Sequence, residues 1–111
     1  MKRPTHLSVG SRTLWDHVTG TYELEAGDLL RLRTCCEAFD RLQGARRRIK
    51  ADGLFVRDRF DQLKAHPAVA VERDARVGFL RALRELGLDV VDVDADEAAR
   101  PPRVAALEVV K

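Results

Sequence analysis

Aromatic residues are scarce in this chain: they make up 5% of its 111 residues, and only one of them is a tryptophan. Because aromatic side chains normally supply much of the apolar area of a small core, this core must rest on leucine, valine and alanine. We expect a chain of this length to form one domain and to bury a modest core, roughly two-thirds of its unfolded surface at best.

Cysteine and histidine are also rare. Cys35 and Cys36 are adjacent, so on a helix their side chains point about 100° apart, which suits neither a disulfide nor a shared zinc site. None of the three histidines (His6, His17 and His66) has a partner at metal-ligand spacing. We therefore expect no metal or other cofactor, and a cytosolic, reducing setting.

The sequence lacks the motifs that mark common enzymes, secreted proteins and membrane proteins. It has no Gly-rich phosphate loop, no Gly-x-Ser-x-Gly elbow, no signal peptide and no apolar window as long as a membrane span. Asp92, Asp94 and Asp96 have the spacing of a calcium loop, but Glu97 replaces the required glycine and Arg103 replaces the closing glutamate. We interpret them as a solvated acidic tail and expect no enzymatic activity.

Charge is distributed unevenly along the chain. Residues 1–87 contain 17 Lys/Arg and 12 Asp/Glu, whereas residues 88–111 contain 3 and 6. This contrast predicts a basic helical domain over residues 1–87 and an acidic C-terminal tail over residues 88–111. A basic body indicates nucleic-acid contact, and an acidic tail indicates a protein partner or self-shielding. A solvated charged surface is the alternative interpretation.

Apolar spacing predicts an outer pair of helices. The first runs from Ser8 or Ser11 to about Thr21, and either serine can cap its start by accepting from free backbone N–H groups. Its inward face consists of Leu14, Trp15 and Val18. The last helix begins at Pro67, after a capping or packing histidine, and ends at Gly87. Its apolar stripe consists of Ala68, Val71, Ala75, Phe79, Ala82 and Leu86, widened by Leu80 and Leu83.

The predicted central helix is the longest. It is expected to begin after an N-cap at Asp28 and to end near Asp52, before Gly53. On its outer face Glu37 precedes Arg41 by four residues, which is the favourable order for an ion pair. Its apolar stripe consists of Leu29, Leu32, Cys36, Phe39, Leu42 and Ile49, with the alkyl stem of Arg46 bridging the last gap.

The connector and the tail have weaker patterns. Residues 54–64 favour either a short hairpin turning at Asp58-Arg59 or a loop with one helical turn. In the tail, a first candidate strand consists of Leu88, Val90, Val91 and Val93, and a second segment, a short strand or helix, covers residues 104–110. We expect the tail to be extended and to become ordered against a partner. The whole pattern predicts a mainly α fold: a three-helix core with a long central helix, a short β-hairpin or loop connector, and an extended C-terminal tail.

Basic residues are the candidate functional chemistry. They crowd the end of the central helix and continue into the connector, where they would grip DNA phosphates without reading bases. The candidate DNA-binding residues are Arg46, Arg47, Arg48, Lys50, Arg57 and Arg59. Because cations also suit the negative end of a helix dipole, a solvated face or ion pairs between subunits are alternative roles for the cluster.

The apolar pattern also predicts self-association. A central helix of 24 residues is roughly 36 Å long. One shorter helix and a connector are too small to cover it, so the spare stripe should pack against another copy. The candidate core and oligomerisation residues are Trp15, Leu29, Leu32, Phe39, Leu42, Phe79 and Leu83.

Several short segments follow one another in a distinctive order. They are Leu7-Ser8, Leu14-Trp15, Tyr22-Glu23-Leu24, Asp28-Leu29-Leu30, Cys35-Cys36-Glu37-Ala38-Phe39-Asp40-Arg41, Gly53, His66-Pro67-Ala68-Val69 and Leu80-Arg81-Ala82-Leu83-Arg84-Glu85-Leu86-Gly87-Leu88. In this order, over residues 5–88, the chain resembles the small subunit family of terminases from cos-type tailed phages.

The resemblance implies a phage- or prophage-encoded protein in the bacterial host cytoplasm, with no membrane partner. It implies a non-catalytic homo-oligomeric ring that recognises double-stranded viral DNA and recruits the large terminase subunit, which carries the ATPase and nuclease. The residues alone also allow two other roles. One is an oligomeric DNA-binding transcriptional regulator, expected to bind a palindromic site as a dimer. The other is a structural helical adaptor that never contacts DNA.

Overall fold

The computed structural model describes residues 2–88 and 108–109. Within them the chain forms three helices, α1 (Val9–Thr21), α2 (Ala26–Asp52) and α3 (Pro67–Glu85). Four short strands accompany the helices: β1 (Tyr22–Glu23), β2 (Phe55–Arg57), β3 (Leu63–Ala65) and β4 (Glu108–Val109). The mainly α fold with a long central helix is confirmed. No helix of this described part is long and apolar enough to cross a membrane.

Helix α1 begins as predicted, but its serines are used differently. Ser8 occupies the N-cap position without a side-chain cap hydrogen bond. Its hydroxyl donates to Asp40 on α2 instead. Ser11 is fully buried, and its hydroxyl lies near both Asp40 and the carbonyl oxygen of Cys36, 2.9 Å away. The expected serine cap is therefore wrong, because both hydroxyls donate to the Asp40 carboxylate, which orients them toward α2 and away from the free backbone N–H groups of α1.

Helix α2 begins earlier than predicted. Glu25, not Asp28, is the N-cap, and Asp28 is the third helical residue of a capping box. In this box Glu25 accepts from the backbone of Asp28, while the Asp28 carboxylate accepts from the backbone N–H of Glu25 at 3.2 Å. Two acidic residues at this spacing satisfy the free N–H groups reciprocally. The helix ends at Asp52 as expected, since Gly53 has a φ of +89° that ordinary side chains rarely adopt.

The connector is the hairpin rather than the helical loop. Strands β2 and β3 pair antiparallel, with Phe55 opposite Ala65 and Arg57 opposite Leu63. The turn occupies residues 58–62, so the tight turn expected at Asp58-Arg59 is wrong. The Asp58 carboxylate accepts the backbone N–H groups of Phe60 and Gln62 at 2.8 and 3.0 Å. An aspartate that closes a wider turn in this way replaces the Asn-Gly pair that a two-residue turn requires.

Helix α3 begins at a three-way junction formed by His66. The ring Nδ1 of His66 accepts the Ala68 N–H at 2.9 Å, which confirms the predicted helix cap, and Pro67 takes the first helical position. The ring Nε2 lies 2.9 Å from Asp52 of α2, and the His66 backbone N–H donates to the Leu54 carbonyl. One residue therefore fastens the end of α2, the base of the hairpin and the start of α3.

The core lies where α1, the first half of α2 and the end of α3 meet. Its buried residues are Leu7, Trp15, Val18, Leu32, Cys35, Cys36 and Leu86. The predicted α3 stripe is only partly correct, because Val71 and Leu80 are 44% and 48% exposed. Helix α3 packs against α2 along one side only, so a stripe this wide exceeds the surface that α2 covers.

The end of the tail returns to the helical body. Strand β4 pairs antiparallel with β1, with Tyr22 opposite Val109 and Glu23 opposite Glu108. This pairing falls within residues 104–110, for which the sequence predicted a short strand or helix. The candidate strand at Val90, Val91 and Val93 lies outside the described residues, and so does the acidic triplet Asp92, Asp94 and Asp96.

Candidate nucleic-acid interface

The four basic residues near the end of α2 are all exposed, but they do not form one face. Successive helical residues are rotated by about 100°, so Arg46 and Lys50 lie about 40° apart and Arg47 lies about 60° from Lys50. Arg48 points about 160° away from Arg46. The structure therefore brings Arg46, Arg47 and Lys50 to one side of the helix and separates Arg48 from them.

Arg46 takes part in the packing of α2 against α3. Its Nε lies 3.5 Å from Oε2 of Glu72, which also lies 3.4 Å from Nε of Arg76. The Arg46 side chain is half exposed, and the buried neighbour is Ala45. The expectation that the alkyl stem of Arg46 fills the gap in the apolar stripe is therefore wrong, because the smaller Ala45 occupies the position facing the core.

Arg48 is paired within its own helix. Its Nε lies 3.1 Å from Oδ2 of Asp52, four residues later. The His66 hydrogen bond, followed by the charge of Arg48, holds the pKa of Asp52 below its usual value. Arg48 consequently contributes to the junction that anchors the hairpin, as well as to the surface charge.

Arg47 and Lys50 carry the available charge of the helix end. Both are exposed, and within residues 2–88 neither has a carboxylate at ion-pair distance. Exposed ion pairs such as those of Arg46 and Arg48 contribute only about 0–1 kcal/mol to stability, so a phosphate can replace the carboxylate partner of either arginine. The side of α2 that bears Arg46, Arg47 and Lys50 is the best candidate for phosphate contact.

The hairpin adds positive charge beyond the end of α2. Arg57 stabilises the turn, since its Nη1 donates to the Asp61 carbonyl at 3.0 Å and its Nε lies 3.8 Å from the Asp61 carboxylate. Arg59 lies at the tip, where its guanidinium is 4.9 Å from the ring centre of Phe60. A cation beside an aromatic ring suits a surface that contacts nucleic acid, because the cation can pair with a phosphate and the ring can stack on a base.

Sequence spacing could have found part of these pairings. Arg48 and Asp52 are four residues apart on α2, which is the spacing of a surface ion pair on a helix. Arg57 and Asp61 are also four residues apart, but their contact depends on the hairpin turn and not on helical spacing. Glu72 could not have been assigned to Arg46, because that contact depends on how α3 packs against α2. The described structure thus leaves three of the six candidates, Arg47, Lys50 and Arg59, without a carboxylate partner.

A second polar cluster, which the sequence did not indicate, fastens the N-terminal segment to α2. Glu37 lies 2.7 Å from the His6 ring and 3.2 Å from Arg33, so the predicted Glu37–Arg41 ion pair is wrong. Burial raises the pKa of Glu37, but hydrogen bonds from His6 and Arg33 outweigh this effect and lower it. In the described residues no group of His, Cys, Asp or Glu is arranged to hold a metal ion.

The candidate core and oligomerisation residues divide into two classes. Trp15, Leu32 and Leu42 are buried, whereas Leu29, Phe39, Phe79 and Leu83 are half-buried. The rings of Phe39 and Phe79 join α2 to α3, with 5.2 Å between their centres. Apolar side chains outside the core are exposed in two places: the hairpin (Leu54, Phe55, Phe60 and Leu63) and the helices (Val9, Leu30, Val71, Val77 and Leu80).

A family model described as "Phage terminase, small subunit" matches residues 12–94, which is more than half of the chain and covers most of α1 together with α2, the hairpin and α3. No curated protein matches the chain. No solved structure matches it either.

Proposed function

The chain belongs to the phage terminase small subunit family, and from this premise we propose that it forms an oligomeric ring, binds viral DNA and recruits the large terminase subunit. In this proposal the protein acts in the bacterial host cytoplasm and catalyses no reaction itself. It positions DNA for the ATPase and nuclease of the large subunit.

The observation that carries the proposal is the basic end of the α2–hairpin unit. Arg47, Lys50 and Arg59 are exposed and have no carboxylate partner within residues 2–88. A few such residues give weak, sequence-independent phosphate contacts. A ring repeats the contacts, and the high effective concentration of the repeated sites raises the overall affinity without a new contact.

Two measurements on the unmodified protein test this proposal. We expect the native mass in solution to be several times the mass of one chain. We also expect the logarithm of the affinity for double-stranded DNA to fall linearly with the logarithm of the salt concentration. An assembly without salt-dependent DNA affinity would instead support a structural adaptor. A dimer that requires a palindromic site would support a transcriptional regulator.

A further inference from the structure

The hairpin, residues 54–65, follows the end of α2 and is exposed at every residue except Val56 and Asp58, so we describe it as an arm. Because residues opposite each other in an antiparallel pair share a face, Phe55, Arg57, Leu63 and Ala65 lie on one side of the arm. Phe55 and Leu63 on this side are 59% and 61% exposed, and Phe60 at the tip is 67% exposed. A lone two-stranded hairpin is marginally stable in water, so this apolar side calls for a covering surface.

A groove of complementary character runs between α2 and α3. Its lining residues are Thr34, Glu37, Ala38, Arg41, Val71, Asp74, Ala75 and Gly78. Ala38 and Ala75 are buried, and Val71 in the wall is 44% exposed. Small side chains leave room for a larger apolar group, and charged side chains flank the opening. The groove therefore suits an apolar segment that also carries a charge.

The arm cannot reach the groove of its own chain. Ala38, in the middle of the groove, precedes the end of α2 at Asp52 by 14 residues, or roughly 21 Å along the helix. The arm starts beyond that end, and His66 fixes its base through the Leu54 carbonyl at 2.8 Å and the Asp52 carboxylate at 2.9 Å. Two complementary surfaces at separate places on one chain fit together only between copies.

We infer that the arm of one copy inserts its Phe55–Leu63 side into the α2–α3 groove of the next copy. Arg57 lies on the same side as these two residues, and its 3.8 Å ion pair with Asp61 is loose enough to exchange for a groove carboxylate. Asp74 is suitable because its side chain is 75% exposed and its 3.3 Å ion pair with Arg73 is a surface pair that can also exchange. The inference rests on the ring in the proposed function and names the surfaces that build it.

The apolar side chains of the arm supply only part of a stable interface. Phe55, Phe60 and Leu63 each expose on the order of 100 Å², whereas a stable interface buries about 800 Å² on each partner, so the rest of the arm and the groove walls must supply the remaining area. Every copy would use one arm and one groove, so each would take part in two contacts. A head-to-tail contact of this kind continues from copy to copy, and it gives a ring when the rotation between neighbouring copies brings the last copy back to the first.

Gly78 offers a direct test. It lines the groove, and a Cβ at this position meets nothing within 4 Å in the protomer. The Gly78→Trp variant should therefore fold normally, and its indole ring should occupy the groove. Gly20→Trp is the matched control, since Gly20 is also helical, also has open space at its Cβ and does not line the groove. We expect Gly78→Trp to reduce the native mass to that of one chain, and Gly20→Trp to keep the wild-type mass.

Mixing two variants tests the pairing itself. Phe55→Ser combined with Leu63→Ser removes the arm contact but leaves the groove intact, and Gly78→Trp leaves the arm intact. Each variant alone should have the mass of one chain, while an equal mixture should form dimers and nothing larger. A wild-type mass for Gly78→Trp, or a mixture that stays at one chain, would overturn the arm-in-groove contact. In that case a wild-type assembly that binds DNA would still support the proposed function, whereas a wild-type mass of one chain would remove the ring itself.

Discussion

Trp15 is the largest side chain in the core and is 2% exposed. It packs among the residues that join α1 to α2 and to the end of α3. Trp15→Ala should lower the free energy of unfolding by roughly 3–5 kcal/mol, because it removes apolar contacts and leaves a cavity. Phe39→Ala should fall at the lower end of that range, since Phe39 is half-buried. Urea unfolding at one fixed protein concentration measures both, and an unchanged midpoint for Trp15→Ala would contradict this placement.

The two cysteines should be unreactive in the folded protein. Burial raises the pKa of Cys35 to about 12, and burial together with the nearby Cys35, Asp40 and Glu37 charges raises that of Cys36 to about 12. Because the thiolate is the reacting form, an aromatic disulfide reagent at pH 8 should label both thiols slowly, at the rate of opening. Both should react at once in denaturant. Two rapid equivalents under native conditions would show that the thiols are accessible.

Asp40 should make the fold sensitive to acid. Burial raises its pKa, but hydrogen bonds from Ser11 and Ser8 outweigh burial and lower it. A carboxylate whose folded pKa lies below its unfolded pKa stabilises the fold above the unfolded value, near 4, and loses this contribution as the pH falls further. The melting temperature should therefore fall as the pH is lowered below about 4, and it should fall less steeply in Asp40→Asn. Glu85→Gln, at an exposed position outside the groove, is the control and should follow the wild type.

At the scale of elements, local rules predicted the helix boundaries that one residue decides better than those that a side-chain contact decides. Gly53 and Pro67 act through backbone geometry alone, so the end of α2 and the start of α3 could be predicted from single residues. The start of α2 could not, because Glu25 and Asp28 are both good acceptors and only their reciprocal contact decides which one is the cap. The cap at Ser8 or Ser11 was misassigned for the same reason: the acceptor of both hydroxyls, Asp40, lies 32 and 29 residues away.

Gly53 should be essential to the end of α2. Its φ of +89° is strained for any residue with a side chain, so Gly53→Ala should destabilise the fold by about 1–3 kcal/mol. Gly20→Ala is the matched comparison, because Gly20 lies within α1 with open space at its Cβ and should gain up to about 1 kcal/mol. Thermal unfolding of the two variants should shift in opposite directions. Equal shifts would mean that the backbone at Gly53 relaxes without cost.

At the scale of the whole molecule, the sequence predicted the composition of the basic surface but not its arrangement. Arg46 and Arg47 are neighbours in sequence, yet Arg46 pairs with Glu72 of another helix and Arg47 is left without a carboxylate in the described residues. The apolar arm could also be predicted only in part. Its strands could be predicted from β-favouring residues, but its position at the end of α2 depends on the junction at His66.

The basic end of α2 should bind DNA through phosphates. Replacing Arg46, Arg47 and Arg48 together with Ala should weaken binding to every duplex sequence by a similar factor, without unfolding the protein. Each lost phosphate contact should reduce the slope of log affinity against log salt by about 0.9.

The triple Ala replacement of Arg73, Arg76 and Arg81 on α3 is a close control, since it removes the same charge and also breaks two surface ion pairs. Titration of labelled duplexes over a salt series compares the two variants. Unchanged affinity in the α2 variant, together with a lower melting midpoint, would assign its arginines to the packing of α2 against α3 and leave DNA binding to other residues.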